Sequence, residues 1–104
     1  MINIQTTVNN FELSESMKVL ITEKIAIPLD KYLTHLPDDQ KQAQLHIEKE
    51  NKTELFKLHF TMNHIFSKTE HILFESALVD LREQLEIQIK KLYHKEWILS
   101  SSSH

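Results

Sequence analysis

Apolar and polar residues alternate in four short stretches of the chain, and this alternation is typical of strands with one buried face. The inward sets of the first three stretches are Ile2, Ile4 and Val8; Ala43, Leu45 and Ile47; and Phe56, Leu58, Phe60 and Met62. The fourth stretch, residues 65–69, has an inner set of Ile65, Ser67 and Thr69, with Phe66 on the opposite face. The pattern therefore predicts a four-stranded sheet with one face in the core.

Two longer stretches repeat apolar residues at intervals of three and four, which predicts helices. In the first, Ser14 is the expected N-cap, because a serine side chain accepts a hydrogen bond from the first helical turn. The apolar stripe continues to Leu36, and Pro37 is expected to end the helix. Pro28 lies inside the stripe and predicts a kink near Ile27, since proline lacks an N–H group and clashes with the preceding turn.

The second helical stretch is longer and basic at its end. Ser67 and Glu70 have the spacing of a capping box, which would begin this helix. Its apolar stripe consists of Phe74, Ala77, Leu78, Leu81, Leu85, Ile89 and Leu92. The lysines near its end have two interpretations: they bind phosphate, or they form a solvated helix end whose charge complements the helix dipole.

Tight turns between the later strands set the predicted topology. A two-residue turn at Asn51-Lys52 pairs Leu45 with Leu58, which puts both inward sets on one face. A second turn at Asn63-His64 leads into strand four. Strand one is expected to join strand two in parallel, because the helix between them supplies the crossover. The predicted fold is α+β, a two-layer β-α-β-β-β-α sandwich with a four-stranded sheet and two helices on one face.

The composition narrows the classes of function. The 104 residues suit one domain, which we assign to residues 1–97, with a disordered serine-rich tail at 98–104. Without cysteine or glycine the chain has no disulfide framework, thiolate metal ligand or glycine-rich phosphate loop. No nucleophile elbow, His-Glu-x-x-His motif or paired carboxylate stands out, so we predict no enzyme, no cofactor and no small-molecule substrate. No apolar run suits a membrane span and no signal peptide is recognisable, which predicts a cytoplasmic protein.

Charge is unevenly distributed along the chain. The formal net charge of −3 argues against nucleic acid as a partner. Residues 88–104, however, contain three lysines and only one glutamate. A local basic patch binds phosphate even on an acidic protein. The candidate phosphate-binding residues are Arg82, Lys90, Lys91 and Lys95 on the second helix and Lys18, Lys24 and Lys31 on the first. This hypothesis requires one continuous positive strip across both helices.

Three ring-bearing residues have two interpretations each. Tyr32 falls on the apolar stripe of the first helix, so it belongs either to the core or to a surface that stacks on bases. His46 and His59 are expected as diagonal neighbours on the outer face of the sheet, within reach of one metal ion. No carboxylate or cysteine completes such a site, so we predict no metal and interpret both as polar surface residues.

Several segments of the chain resemble the ribosome hibernation promoting factor family, also called the sigma-54 modulation protein family, which includes a ribosome-associated inhibitor. Residues 9–17, Asn-Asn-Phe-Glu-Leu-Ser-Glu-Ser-Met, are similar to the start of helix one in that family. Further similarities are Glu23-Lys24, Asp30-Lys31-Tyr32, Ile47-Glu48-Lys49, Leu58-His59-Phe60, Phe74 and the Gln84-Leu85…Lys90-Lys91 region. The resemblance covers about residues 1–95 and rests on the order and spacing of these segments.

The resemblance implies the same fold and a role in ribosome hibernation under stress. Members bind RNA of the small ribosomal subunit in the channel of messenger and transfer RNA, which inhibits translation and preserves idle ribosomes. The chain resembles the short form of the family, and the basic residues named above are the implied rRNA contacts. The sequence leaves self-association open.

The chain departs from the family in ways that suggest an alternative. Met62-Asn63 stands where the family usually has Gly-Gly. The second helix carries the acidic residues Glu75, Asp80, Glu83 and Glu86, whereas family members commonly have more Lys and Arg. The alternative is a diverged protein-interaction module that keeps the fold, has lost rRNA binding, and contacts a protein through the outer sheet face or the region of Trp97.

Overall fold

The computed structural model describes the backbone of residues 2–102 and the side chains of residues 2–92. The strands are β1 (Asn3–Asn9), β2 (Gln42–Lys49), β3 (Phe56–Met62) and β4 (Ile65–His71). The first helical segment consists of α1 (Glu15–Ile21), a π-helical turn (Thr22–Ala26) and α2 (Ile27–Asp30). A short 3₁₀ turn (Asp38–Gln40) precedes β2, and α3 (Phe74–Ser102) follows β4.

The sheet has the predicted topology. Its strand order is β1-β2-β3-β4, with β1 parallel to β2 and the other two pairs antiparallel. The first helical segment and α3 pack on the face that carries the alternating apolar residues. The prediction of an α+β two-layer sandwich is therefore confirmed.

The core lies between the sheet and the helices. Leu45, Ile47, Leu58 and Phe60 from β2 and β3 are completely buried. Opposite them lie buried residues of both helical segments: Ile25, Leu29, Leu78, Leu81 and Leu85. Each such side chain contributes about 1.5–3 kcal/mol relative to full exposure. The predicted stripe of α3 is buried except at Leu92, which is 43% exposed.

The β2–β3 hairpin differs from the prediction by two residues. Leu45 pairs with Phe60, not Leu58, so the Asn51-Lys52 turn is wrong. The Glu50 N–H donates to the Leu55 carbonyl (2.9 Å), and Glu54 adopts a left-handed conformation with φ 58°. A slip of two residues keeps every side chain on its face, so the alternation alone does not detect it. The tight turn at Asn63-His64 is confirmed, since Met62 pairs with Ile65.

The first helical segment begins as predicted and ends earlier. The Met17 N–H donates to Ser14 Oγ at 3.2 Å, which confirms the N-cap. The expected distortion before Pro28 takes the form of the π-helical turn, in which the Ile27 N–H reaches back to the Thr22 carbonyl. The helix ends at Asp30 instead of Leu36. Beyond it the backbone bonds span three residues, as from the Leu36 N–H to the Leu33 carbonyl (3.1 Å), which tightens the chain on its way back to the sheet.

The start of α3 also differs from the prediction. Ser67 and Glu70 lie within β4, so the capping box is wrong. The helix begins at Phe74, and the Ala77 N–H donates to the Leu73 carbonyl at 3.1 Å. At the other end the helical backbone is described as far as Ser102, and residues 103 and 104 lie outside the described part. The assignment of one domain to residues 1–97 and of a disordered tail to 98–104 stays a prediction.

Candidate nucleic-acid interface

One flank of α3 is fixed against the edge strand β4. Gln88 Nε2 donates to the Phe66 carbonyl at 2.8 Å, and the Phe66 N–H donates to Gln88 Oε1 at 3.3 Å. One turn earlier, Ser67 Oγ hydrogen-bonds to Gln84, and a further turn earlier His71 contacts Asp80. These contacts direct the opposite flank of α3 towards the first helical segment. The predicted basic residues therefore separate according to the flank on which they lie.

Lys90 lies on the flank near the first helical segment. Its Nζ is 5.6 Å from the centroid of the Tyr32 ring, a cation–π distance worth about 0.5–1 kcal/mol at an exposed site. Tyr32 is half-buried and packs against the core, and Lys31 beside it is exposed. We call the Lys90–Tyr32 contact, together with Lys31 beside Tyr32 in sequence, the Tyr32 cluster. Among the described residues no carboxylate lies within ion-pair distance of either lysine.

Arg82 lies two turns before Lys90 and forms an ion pair with Glu86 on the same helix. Its Nε is 3.4 Å from Glu86 Oε1. The Nε atom is shielded from solvent and has no hydrogen-bond partner among the described groups. Glu86 also stands between Arg82 and Lys90 in sequence on α3. The arginine therefore extends the positive charge of the Tyr32 cluster only weakly.

Lys18 and Lys24 lie earlier in the first helical segment than the Tyr32 cluster. Lys18 Nζ is 3.1 Å from Glu15 Oε1, and both side chains are largely exposed. Fourteen residues separate Lys18 from Tyr32, about 20 Å along a helix. Lys24 is half-buried on the π-helical turn between them. Lys18 therefore lies at the opposite end of the segment from the Tyr32 cluster.

Lys91 faces a different direction from Lys90. Neighbouring residues of a helix differ by about 100° in direction, and Lys91 lines a shallow cleft of about 290 Å³ with His64, Ile65 and Gln88 at the β4 edge. Lys95 lies beyond Leu92, where side chains are not described, and stays a prediction. Within residues 2–92 the basic residues form separate groups interrupted by carboxylates. The single continuous strip that the hypothesis requires stays a prediction.

Lys41 is a basic residue that the sequence analysis missed. Its side chain is 9% exposed and its Nζ lies 3.8 Å from Asp30 Oδ1, which also accepts a hydrogen bond from the Ile2 N–H (3.0 Å). The inward alternation of β2 provides a signal for this position, since Lys41 lies two residues before Ala43. The contact ties the end of α2 to the starts of β1 and β2. Its role is structural.

The outer face of the sheet carries a row of rings. His46 and His59 are direct cross-strand partners with centroids 6.3 Å apart, which corrects the predicted diagonal arrangement. Phe66 lies 6.4 Å from His59 and is 55% exposed. Thr7 Oγ1 lies 2.9 Å from His46 Nδ1 and fixes that ring. These residues line a shallow cleft of about 400 Å³.

The two histidines offer little for a metal ion. Among the described residues no third histidine, aspartate or glutamate joins them in a cluster suited to a metal. Partial burial, followed by the charges of Lys68 and His46, lowers the pKa of His59 below its usual value. His59 therefore presents an uncharged ring near neutral pH, beside the exposed Phe66.

Comparisons with known proteins establish the fold. The N-terminal domain of Thermus thermophilus Protein Y superposes with a TM-score of 0.65 and 19% sequence identity, over 86% of this chain and 98% of that one. A ribosomal subunit interface protein from Coxiella burnetii superposes with a TM-score of 0.57 and 18% identity, over 86% and 94%. No family model and no curated protein matches the sequence. The fold implied by the resemblance is thus confirmed: the chain is an α+β domain of the kind seen in these two proteins.

The helices within the described residues were also compared with the length and apolar character that a membrane span needs. No helix among them is both long enough and apolar enough to span a bilayer. The 29-residue α3 has the length, but charged residues recur along it.

Proposed function

We propose that the chain is a ribosome-binding inhibitor of translation, a non-catalytic cytoplasmic hibernation factor that occupies the messenger and transfer RNA channel of the small subunit. The observation that carries the proposal is the fold match, which extends over nearly all of both solved structures, one of them a ribosomal subunit interface protein. The motif resemblance between residues 9 and 91 supports the same function independently of the coordinates.

The Tyr32 cluster is the proposed centre of RNA contact. Lys31 and Lys90 carry positive charge that no described carboxylate neutralises, so they can pair with rRNA phosphates and release condensed counterions. Lys24 is proposed as a flanking contact, and Lys91, which faces the β4 edge, as a separate contact. Arg82 and Lys18 rank below them because Glu86 and Glu15 already pair with them. The rigid sandwich would then exclude messenger and transfer RNA by its volume.

Co-sedimentation with purified small ribosomal subunits tests the proposal. The wild-type chain should bind at low salt and lose affinity steeply as salt rises, with a slope of about 0.7–0.9 per phosphate contact on logarithmic axes. The variant Lys31→Ala/Lys90→Ala should bind more weakly. Its slope should be smaller by the amount that two phosphate contacts contribute. Its thermal unfolding should stay close to the wild type, because both lysines are exposed and the lost Lys90–Tyr32 contact is worth at most about 1 kcal/mol.

Two other exposed lysines provide the control. Lys52 lies in the β2–β3 loop and Lys68 on the outer sheet face, away from the Tyr32 cluster. The variant Lys52→Ala/Lys68→Ala changes the net charge equally and should keep the affinity and slope. An equal loss of affinity in both double variants would show that the Tyr32 cluster is not part of the rRNA-binding site. Absence of binding at low salt would contradict the function itself.

The row of rings on the outer sheet face favours a second candidate function, a protein-interaction module. His46, His59 and the half-exposed Phe66 give this face an apolar centre that a protein partner would cover. A chain that fails to bind small subunits at low salt, yet loses a protein partner on Phe66→Ser substitution, would support it.

A further inference from the structure

The outer edge of β1 is open, and its geometry identifies which main-chain groups face outward. Within the described residues β1 is an edge strand that pairs with β2 alone. The Asn3 N–H donates to the Lys41 carbonyl at 2.9 Å, so Asn3 and every second residue after it bond to β2. Ile4, Thr6 and Val8 consequently direct their N–H and C=O groups away from the sheet.

Between Ile4 and Val8 this edge lacks the protection that edge strands normally carry, and the Asp30 carboxylate covers only the Ile2 N–H before it. Natural edges are usually interrupted by charged residues, proline or a bulge, or covered by another element. Residues 1–11 contain no charged side chain, no proline and no glycine. The other edge of the same sheet is protected, because Gln88 holds both main-chain groups of Phe66 and the strand carries Lys68 and Glu70.

We propose that two copies of this chain pair through β1, antiparallel and centred on Thr6. This register places Ile4 opposite Val8 of the second copy and Thr6 opposite its own counterpart. In this register every residue with outward main-chain groups lies opposite another such residue of the second copy. Each of them therefore donates one hydrogen bond and accepts one across the two-fold axis. On the outer face, Gln5 faces Thr7 of the second copy, and no charge meets a like charge.

The side chains beside the edge favour a second copy as the occupant. An open cleft of about 350 Å³ lies between β1 and the first helical segment and is lined by Ile2, Ile4, Thr6, Leu13, Lys18, Ile21, Thr22 and Ala26. Val8 is 36% exposed at this edge, and Val19 is 52% exposed beside Lys18 and Thr22. Pairing β-branched Ile4 with Val8 covers apolar surface twice, once in each copy. The strand is thus complementary to itself in pattern as well as in hydrogen bonding.

Sedimentation equilibrium at increasing protein concentration tests the proposal. We expect the mass to rise from 12.3 kDa towards twice that value as the concentration approaches about 1 mM, the weak end of protein association. Thr6→Pro removes one outward N–H and leaves the ladder to β2 intact, because proline is tolerated at such edge positions. This variant should stay monomeric and keep its affinity for small ribosomal subunits. The matched control Lys68→Pro, at an outward position of β4, should associate like the wild type.

A charge pair tests the register. With Gln5→Lys/Thr7→Lys, lysines face lysines across the axis, whereas with Gln5→Lys/Thr7→Glu each lysine faces a glutamate. The first variant should associate about tenfold more weakly than the second. Hydrogen exchange supplies a further readout, since the amides of Ile4, Thr6 and Val8 should become protected only as the dimer forms.

Three results would overturn the inference. They are a chain that stays monomeric at about 1 mM, self-association that Thr6→Pro leaves unchanged, and equal association of the two charge variants. A monomeric chain whose β1 amides become protected on adding an extended peptide would assign the edge to another protein instead. Circular dichroism of Thr6→Pro would verify that the variant is folded, and the charge variants decide the matter if it is not.

Discussion

Replacing Asp30 by asparagine should destabilise the domain, because it leaves the charge of Lys41 unpaired in a nearly buried site. Lys41 is 9% exposed and Asp30 is 29% exposed, with 3.8 Å between their charged atoms. Removing one partner of a fully buried ion pair costs about 3–5 kcal/mol. The partial exposure of Asp30 and the long distance reduce this, and we expect about 2 kcal/mol. The Ile2 N–H keeps an acceptor, since an asparagine oxygen replaces the carboxylate oxygen.

The assay is urea and thermal unfolding of three variants. A loss of about 2 kcal/mol in Asp30→Asn lowers the melting temperature by about 10 °C in a domain of this size. The double variant Asp30→Asn/Lys41→Met should recover to within about 1 kcal/mol of the wild type, because replacing both members of a buried pair by uncharged groups is often neutral. Glu50→Gln breaks a more exposed pair with Lys57 (3.5 Å) and should cost less than Asp30→Asn.

The recovery in the double variant decides the reasoning. If Lys41→Met adds a further loss to Asp30→Asn, the lysine contributes by packing its chain and its charge is well solvated. An Asp30→Asn variant as stable as the wild type would refute the argument at its first step.

Two other predictions concern local features. Glu54 has a φ of 58°, so Glu54→Gly should raise the free energy of unfolding by about 0.5 kcal/mol in urea, whereas Lys52→Gly in the same loop should lower it; a loss in both would show that the left-handed conformation costs nothing. The lowered pKa of His59 means that the unfolded chain binds its proton first, so stability should be complete above about pH 6.5 and fall as pH decreases through the folded pKa. His59→Gln should flatten this fall in urea midpoints measured across that range, and an unchanged slope would assign it to other groups.

The sheet was predictable because side-chain alternation encodes the buried face directly. The inward sets of β2, β3 and β4 are confirmed residue by residue, and so is the parallel pairing of β1. The β2–β3 register was not predictable from that signal. Asn51-Lys52 looked like a sufficient turn, and the left-handed backbone at Glu54 is unusual for a residue that is not glycine, asparagine or aspartate.

The candidate site was predictable only as a list of residues. Periodicity placed Lys90 and Lys91 at the end of one helix, but their separation depends on which flank of α3 meets β4, a tertiary fact decided by Gln84 and Gln88. The Ser67 and Glu70 spacing failed for a related reason. A local capping motif also fits a strand whose inward serine lies under a helix, and only packing distinguishes the two.

The contact between Gln88 and Phe66 has a consequence for the size of any assembly. A sheet that is extendable on both sides grows without limit and produces fibres, whereas this sheet has one sealed margin. Pairing through β1 uses the open edge of both copies at the same time. Self-association by strand addition would therefore stop at two paired sheets with eight strands, and a substitution at Gln88 would remove one of the features that, with Lys68 and Glu70, prevent further growth.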